Sequence, residues 1–184
     1  ETDRRYIKER ISELEKSLRD ISTHRELIRS GRDKKSIINV SLVGYTNAGK
    51  STLLNRLTDA GVLAENKLFA TLDTTSRNLR LPGGTSVVLT DTVGFIRKLP
   101  HHLIKAFRAT LEELKYADIL LHVVDASNPE RADQMETVYS TLNELECGET
   151  PVITAYNKMD RDIDFPLPKD TTARDTVRIS ASNG

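Results

Sequence analysis

Residues 37–57 read IINVSLVGYTNAGKSTLLNRL, and this stretch decides the fold. Residues 37–43 are a short, β-branched, nearly continuous apolar run, the pattern of a strand buried on both faces. Gly44, Tyr45, Thr46, Asn47, Ala48, Gly49, Lys50 and Ser51 then match G-x-x-x-x-G-K-[ST] at every fixed position. Thr52 follows, and Leu53, Leu54 and Leu57 recur at helical spacing, so the loop joins a strand to a helix, as that motif requires. Gly44 and Gly49 let the backbone turn tightly and aim successive N–H groups at a phosphate, and the helix N-terminus adds a positive dipole. Lys50 reaches toward the β- and γ-phosphates in such a loop, and the Ser51 hydroxyl suits Mg²⁺. A glycine-rich turn before an ordinary helix would not reproduce four fixed positions with both flanks correct. The stretch predicts a nucleotide-binding protein.

Composition sets broad bounds. The chain has 184 residues, enough for one domain with a sizeable core. Its 27 basic and 27 acidic residues cancel, so no overall field points to nucleic acid or membrane. A single cysteine, Cys147, excludes an internal disulfide and suits a reducing compartment. With no long apolar run and no signal-peptide pattern, a cytoplasmic protein is expected. No His/Cys spacing suggests zinc.

Residues 1–30 form a charged segment in which Ile7, Ile11, Leu14, Leu18, Ile21 and Ile28 make a narrow seam, read as a coiled-coil-like helix. Residues 31–36, opened by Gly31, read as a linker. From residue 37 onward strands and helices alternate, which predicts an α/β fold with a mainly parallel six-stranded sheet flanked by helices. Residues 78–81 and 87–90, joined through Pro82, Gly83 and Gly84, read as a hairpin that adds one antiparallel edge strand. Helices are expected over 103–116 and 131–145, and strands over 119–124, 152–156 and 176–179. The Pro- and Asp-rich residues 161–175 are expected to be a loosely packed surface segment. His122, within a strand, is expected to be a satisfied core or edge residue rather than a catalyst.

The remaining motifs each follow a predicted strand, the edge where open α/β sheets bind ligands. Asp91, Thr92, Val93 and Gly94 spell D-x-x-G about forty residues beyond the phosphate loop. An aspartate there can hold Mg²⁺ through water, and Gly94 lets its N–H approach a γ-phosphate. Asn157, Lys158, Met159 and Asp160 supply a base reader, because the Asp160 carboxylate offers two acceptors to guanine's N1–H and N2 amine. Adenine lacks that amine, and a site built on such pairing discriminates by on the order of 10⁴ in favourable cases. Asn157 would brace the loop and the Lys158 stem would lie along the ring. Ser180, Ala181 and Ser182 would bring the Ala181 N–H to guanine O6. For a threonine that completes the Mg²⁺ shell and senses the γ-phosphate, Thr71 is preferred, with Thr74 and Thr75 as rivals on residue chemistry alone.

With these residues assembled, the chain resembles the HflX family, within the Obg–HflX group of P-loop GTPases. The resemblance spans ETDRR, GYTNAGKSTLLN, LFATLD, DTVGFIRKLP, FRATLEE, VVDAS and NKMD. It implies that Phe69, Ala70, Thr71, Leu72 and Asp73 line the nucleotide, with the metal-binding threonine at Thr71. It implies a GTPase that associates with the large ribosomal subunit and splits or rescues ribosomes or serves their biogenesis. It also implies an N-terminal domain of which residues 1–30 are the end, and a final helix after the Ser-Ala motif. The chain is therefore expected to be a monomeric part of a longer protein whose residues 37–184 are the GTPase domain.

The expected chemistry is hydrolysis of GTP to GDP with Mg²⁺, with Lys50, Thr71 and Gly94 as catalytic groups and Ser51, Thr71 and Asp91 as metal ligands. Residues 65–77 and 91–102 would order around the γ-phosphate and relax afterwards. Many regulatory GTPases carry a water-orienting glutamine after D-x-x-G. Phe95 stands there and can neither accept from nor donate to water, so hydrolysis without a ribosome is expected to be slow. The alternative is a GTP-dependent ribosome- or RNA-binding module with negligible hydrolysis, using Arg4, Arg5, Arg10, Lys34 and Lys35 on phosphates.

Overall fold

The computed structural model describes residues 37–58, 75–96, 111–163 and 165–183. The expectations placed on residues 1–36, and those on Phe69, Ala70, Thr71, Leu72 and Asp73, lie outside the described residues, as do most of the expected helix over 103–116 and parts of residues 65–77 and 91–102.

Six strands form one sheet: β1 (Ile38–Val43), β2 (Thr75–Arg80), β3 (Ser86–Asp91), β4 (Ile119–Asp125), β5 (Val152–Asn157) and β6 (Asp175–Arg178). Their order across the sheet is β2-β3-β1-β4-β5-β6. All neighbours run parallel except β2 and β3, which are antiparallel, so the mainly parallel sheet with one antiparallel edge strand is as the pattern predicts. Helices α1 (Lys50–Thr58) and α2 (Arg131–Glu144) follow β1 and β4. The described part of residues 103–116 ends in a 3₁₀ turn, Glu112–Tyr116, that buries Leu114.

The central strands are buried on both faces because helices cover both. Consecutive residues of β1 show it: Leu42 joins α1 residues Leu53 and Leu54 in one core cluster, and Val43 joins α2 residues Val138 and Leu142 in another. Each such side chain contributes about 1.5–3 kcal/mol by leaving water, which outweighs the weak intrinsic stability of a short helix like α1. Leu57 belongs to the same stripe in sequence, yet at the last turn of α1 it is exposed.

Two expectations need correcting. Residues 161–163 and 165–175 lie at the surface as expected, most of them exposed, but they are tied to the sheet and to α2 rather than loosely packed. Arg131, buried at the start of α2, donates to the carbonyls of Phe165 and Pro166 at 3.0 and 2.9 Å. The Asp170 carboxylate accepts from Tyr139 and Thr154, each at 2.6 Å, and from the backbone of Thr172 and Ala173. Burial alone would raise the Asp170 pKa, but the bonds from Thr154 and Tyr139 carry it below the usual carboxylate value. Charge-assisted bonds outweigh desolvation here because four donors converge on one anion. His122 is a core residue as expected, edge-on to Tyr139 with centroids 5.2 Å apart, but Nδ1 is buried without a hydrogen-bond partner. Burial lowers its pKa to about 4, so the ring is neutral near pH 7.

Among the described residues no helix is long and apolar enough to cross a membrane.

Candidate functional site

The sheet order places β1 between β3 and β4, with β5 beyond β4. The loops after β1, β3, β4, β5 and β6 therefore gather at one edge, around the point where connections leave β1 in opposite directions.

At the phosphate end, Lys50 opens α1 and is buried. Its ammonium donates to the carbonyls of Gly44 and Tyr45, each at 3.2 Å. Burial lowers its pKa to about 8, against the pull of Asp91 in the other direction. The D-x-x-G segment lies directly on the loop: Thr46 N–H donates to the Phe95 carbonyl at 2.8 Å, and Phe95 N–H to the Gly44 carbonyl at 3.0 Å. This isolated parallel bridge, Tyr45 to Phe95, draws Gly94 against the loop. A Cβ on Gly94 would lie 2.7 Å from Thr46 Cα and 3.1 Å from Lys50 Nζ, so only glycine fits. The Phe95 side chain points into the core beside Leu111 and Leu114 and is 1 % exposed. It offers nothing to a water molecule.

Asp91 is fully buried at the end of β3, and Ser51 Oγ donates to its Oδ2 at 2.5 Å. A hydroxyl and a carboxylate brought together are hard oxygen donors, the chemistry that suits Mg²⁺, so these two residues fit such an ion. Thr92 Oγ1 donates to the Leu42 carbonyl at 2.6 Å, which fixes the exit of β3 to β1.

At the base end, Asn157 closes β5 and is buried. Its Nδ2 donates to the Ala48 carbonyl and its Oδ1 accepts from Ala181 N–H, both at 2.9 Å. One side chain thus links the phosphate loop, the strand end and the turn after β6. Gly49 makes room for it, since a Cβ there would lie 2.3 Å from Asn157 Nδ2. The Ala181 N–H expected to meet guanine O6 is engaged by Asn157, so that role requires the bond to be shared or released. Ser180 Oγ donates to Asp160 Oδ1 at 2.6 Å and lies 3.1 Å from Ser182 Oγ. The Ser180 bond is the main reason the exposed Asp160 carboxyl sits below its ordinary pKa. Lys158 Nζ donates to the Asn47 carbonyl at 2.8 Å and to Asp125 Oδ2 at 2.7 Å. Met159 packs beside the cluster of Val124, Ala126, Met135 and Tyr156.

Asp125 was not among the site residues anticipated from sequence. Its position at the end of an apolar strand, as with Asp91 and Asn157, was the available signal.

Residues 39–158 match the family described as 50S ribosome-binding GTPase. The chain is 59% identical over 184 residues to GTPase HflX of Lacrimispora saccharolytica, covering 100% of this chain and 44% of that protein. It is 47% identical over 165 residues to GTPase HflX of Escherichia coli, covering 90% and 39%. The chain thus spans less than half the length of these relatives. Among solved structures, a GTP-binding protein of Sulfolobus solfataricus in complex with GDP is similar at 28% identity and TM-score 0.63, covering 86% of this chain and 51% of that one. Era in complex with MgGDPNP and a segment of 16S ribosomal RNA is similar at 28% identity and TM-score 0.64, covering 80% and 52%.

Proposed function

This chain belongs to the HflX branch of the 50S ribosome-binding GTPase family, and from that premise we propose that residues 37–184 bind GTP and GDP with Mg²⁺ and hydrolyse GTP. The observation that carries the reading is Asn157, which joins the phosphate loop to the turn bearing Ser180 and Ala181 while Asp160 stands three residues away. A polyphosphate-binding backbone and a guanine-reading carboxylate are thereby held at one sheet edge.

In this reading Lys50 exchanges its two carbonyl partners for phosphate oxygens, a favourable trade because both partners then carry full charge. Ser51 and Asp91, with Thr71, would hold Mg²⁺, which would supply positive charge against the phosphates. Gly94, drawn against the loop by the Tyr45–Phe95 bridge, gives its N–H to the γ-phosphate. Asp160 reads the N1 and N2 edge of guanine, held in place by Ser180. With Phe95 in the core, no side chain at that position orients the attacking water, so backbone groups or a ribosomal partner supply that function and turnover is slow without one. The family further suggests that the whole protein acts in the cytoplasm on the large ribosomal subunit, in splitting, rescue or biogenesis.

Calorimetry with GTP, GDP and ATP, with and without Mg²⁺, tests the binding reading; equal heats for guanosine and adenosine nucleotides would sink it. The second reading, a GTP-dependent ribosome-binding module with negligible hydrolysis, is favoured by the buried Phe95 alone. Phosphate release in a single turnover, with and without large subunits, separates the two: none under either condition selects the binding module.

A further inference from the structure

We propose that Asp125 is a positioning residue for nucleotide binding: it holds the Lys158 side chain across the site so that the lysine stem forms one wall of the purine slot. The inference rests on the guanine-nucleotide reading above.

The sheet order supplies the first reason. β4 lies between β1, which feeds the phosphate loop, and β5, which feeds the base-reading turn. Asp125 is the last residue of β4 and pairs in register with Asn157, the last residue of β5. A side chain leaving the sheet there stands beside both loops. Its two oxygens are used separately. Oδ1 accepts from Ser127 N–H at 3.0 Å and from Ser127 Oγ at 2.6 Å, which fixes the carboxylate on its own turn. Oδ2 accepts from Lys158 Nζ at 2.7 Å.

The second reason lies at the lysine. The same ammonium donates to the Asn47 carbonyl, so two of its three protons are committed to the protein. Asn47 and Lys158 both have φ in the left-handed region, 61° and 64°, which non-glycine residues seldom adopt without compensation. The Asp125–Lys158–Asn47 chain supplies compensation, joining the two unusual turns through one charged group. Both charged side chains are mostly buried, at 14 % and 13 % exposure, so their attraction escapes the screening that makes surface pairs weak. Without the carboxylate the ammonium would keep one neutral carbonyl partner and swing toward water, and the stem would leave the position where a purine ring would rest on it. Asp125 itself need not touch the nucleotide.

The test uses the full chain and a fluorescent guanine nucleotide, with dissociation rates measured by rapid mixing. Asp125→Asn keeps the shape and removes the charge, and it is expected to speed dissociation about tenfold, the size of one charge-assisted hydrogen bond. GDP and GTP should be affected alike, because the lost contact is at the base and not at the γ-phosphate. Ser127→Ala, which loosens the carboxylate and keeps its charge, should give a smaller change of about threefold. Both effects should vanish when Lys158 is Met, which retains the stem and lacks the ammonium; a purely structural role for Asp125 would persist in that background. Multiplying effects of Asp125→Asn and Lys158→Met, or an unchanged rate in Asp125→Asn, would overturn the inference while leaving the nucleotide reading intact. If the unsubstituted chain binds no guanine nucleotide, both readings fall together.

Discussion

The two ends of the proposed nucleotide site are prepared differently. At the proposed base end the side chains are already held by the protein: Asn157 spans two loops, Ser180 donates to Asp160, and Lys158 to Asp125. At the phosphate end the protein satisfies itself. Lys50 is engaged by the carbonyls of Gly44 and Tyr45, Ser51 by Asp91, and Thr46 N–H by Phe95. In the proposed reading a base needs only the Ala181 N–H to be shared or released by Asn157, whereas a triphosphate displaces several protein partners at the second end. If binding energy is spent on that displacement, the phosphate end is the one proposed to report whether a γ-phosphate is present.

The largest expected effect breaks the base end. Asp160→Asn should shift the preference for guanine over xanthine nucleotides by on the order of 10³, because the lost acceptor leaves guanine's donors unpaired and xanthine's oxygen gains a donor. Competition binding with both nucleotides measures it, and an unchanged preference removes Asp160 from the reading. Next, Gly94→Ala should separate the two ends. With its Cβ 2.7 Å from Thr46 Cα, the added methyl wedges the bridge and crowds Lys50 Nζ. Affinity for GTP should fall about tenfold or more and by more than that for GDP, which shares the Lys50 contact but lacks the γ-phosphate, since crowding of this kind costs about 1–3 kcal/mol. Equal losses for both nucleotides would mean that Gly94 does not sense the γ-phosphate.

A pH titration then sharpens the contrast. Lys50 in the free protein has a pKa lowered to about 8 by burial. Phosphate oxygens beside it favour the ammonium, so the bound value lies higher. Binding is therefore strongest below pH about 8 and weakens as pH rises through that value, by up to about tenfold per unit. Calorimetry at pH 9 in two buffers of different ionisation heat should detect proton uptake; affinity that stays flat from pH 7 to 9 contradicts the assignment. The smallest effect is Ser180→Ala, which frees Asp160 without changing its chemistry. Guanine affinity should fall about threefold with its selectivity over adenine retained, as expected for one exposed hydrogen bond. A loss of selectivity in that variant would mean that Ser180 reads the base itself.

Much of this arrangement was legible in the sequence, and the reason is local. The strand–loop–helix at 37–57, the hairpin at Pro82–Gly84 and the buried strands all follow from side-chain periodicity and turn residues within a short window. The surface position of residues 161–163 and 165–175 follows from their proline and aspartate, but not that Asp170 is tied to Tyr139 and Thr154 across a sheet–helix boundary. His122 could be placed in the core from its strand, but nothing nearby in sequence says that Nδ1 goes without a partner.

By itself, then, the sequence determined which functional groups exist and which turns present them: a glycine-rich cradle with its lysine, an aspartate closing β3, and an aspartate in the turn after β5. Only the tertiary structure decided which of those groups hold one another. Lys158 and Asp125 are 33 residues apart and Asn157 and Ala48 are 109 apart. Such pairings depend on β4 lying between β1 and β5, a consequence of packing two helical layers against one sheet, and side-chain periodicity does not encode which strand end becomes the neighbour of which.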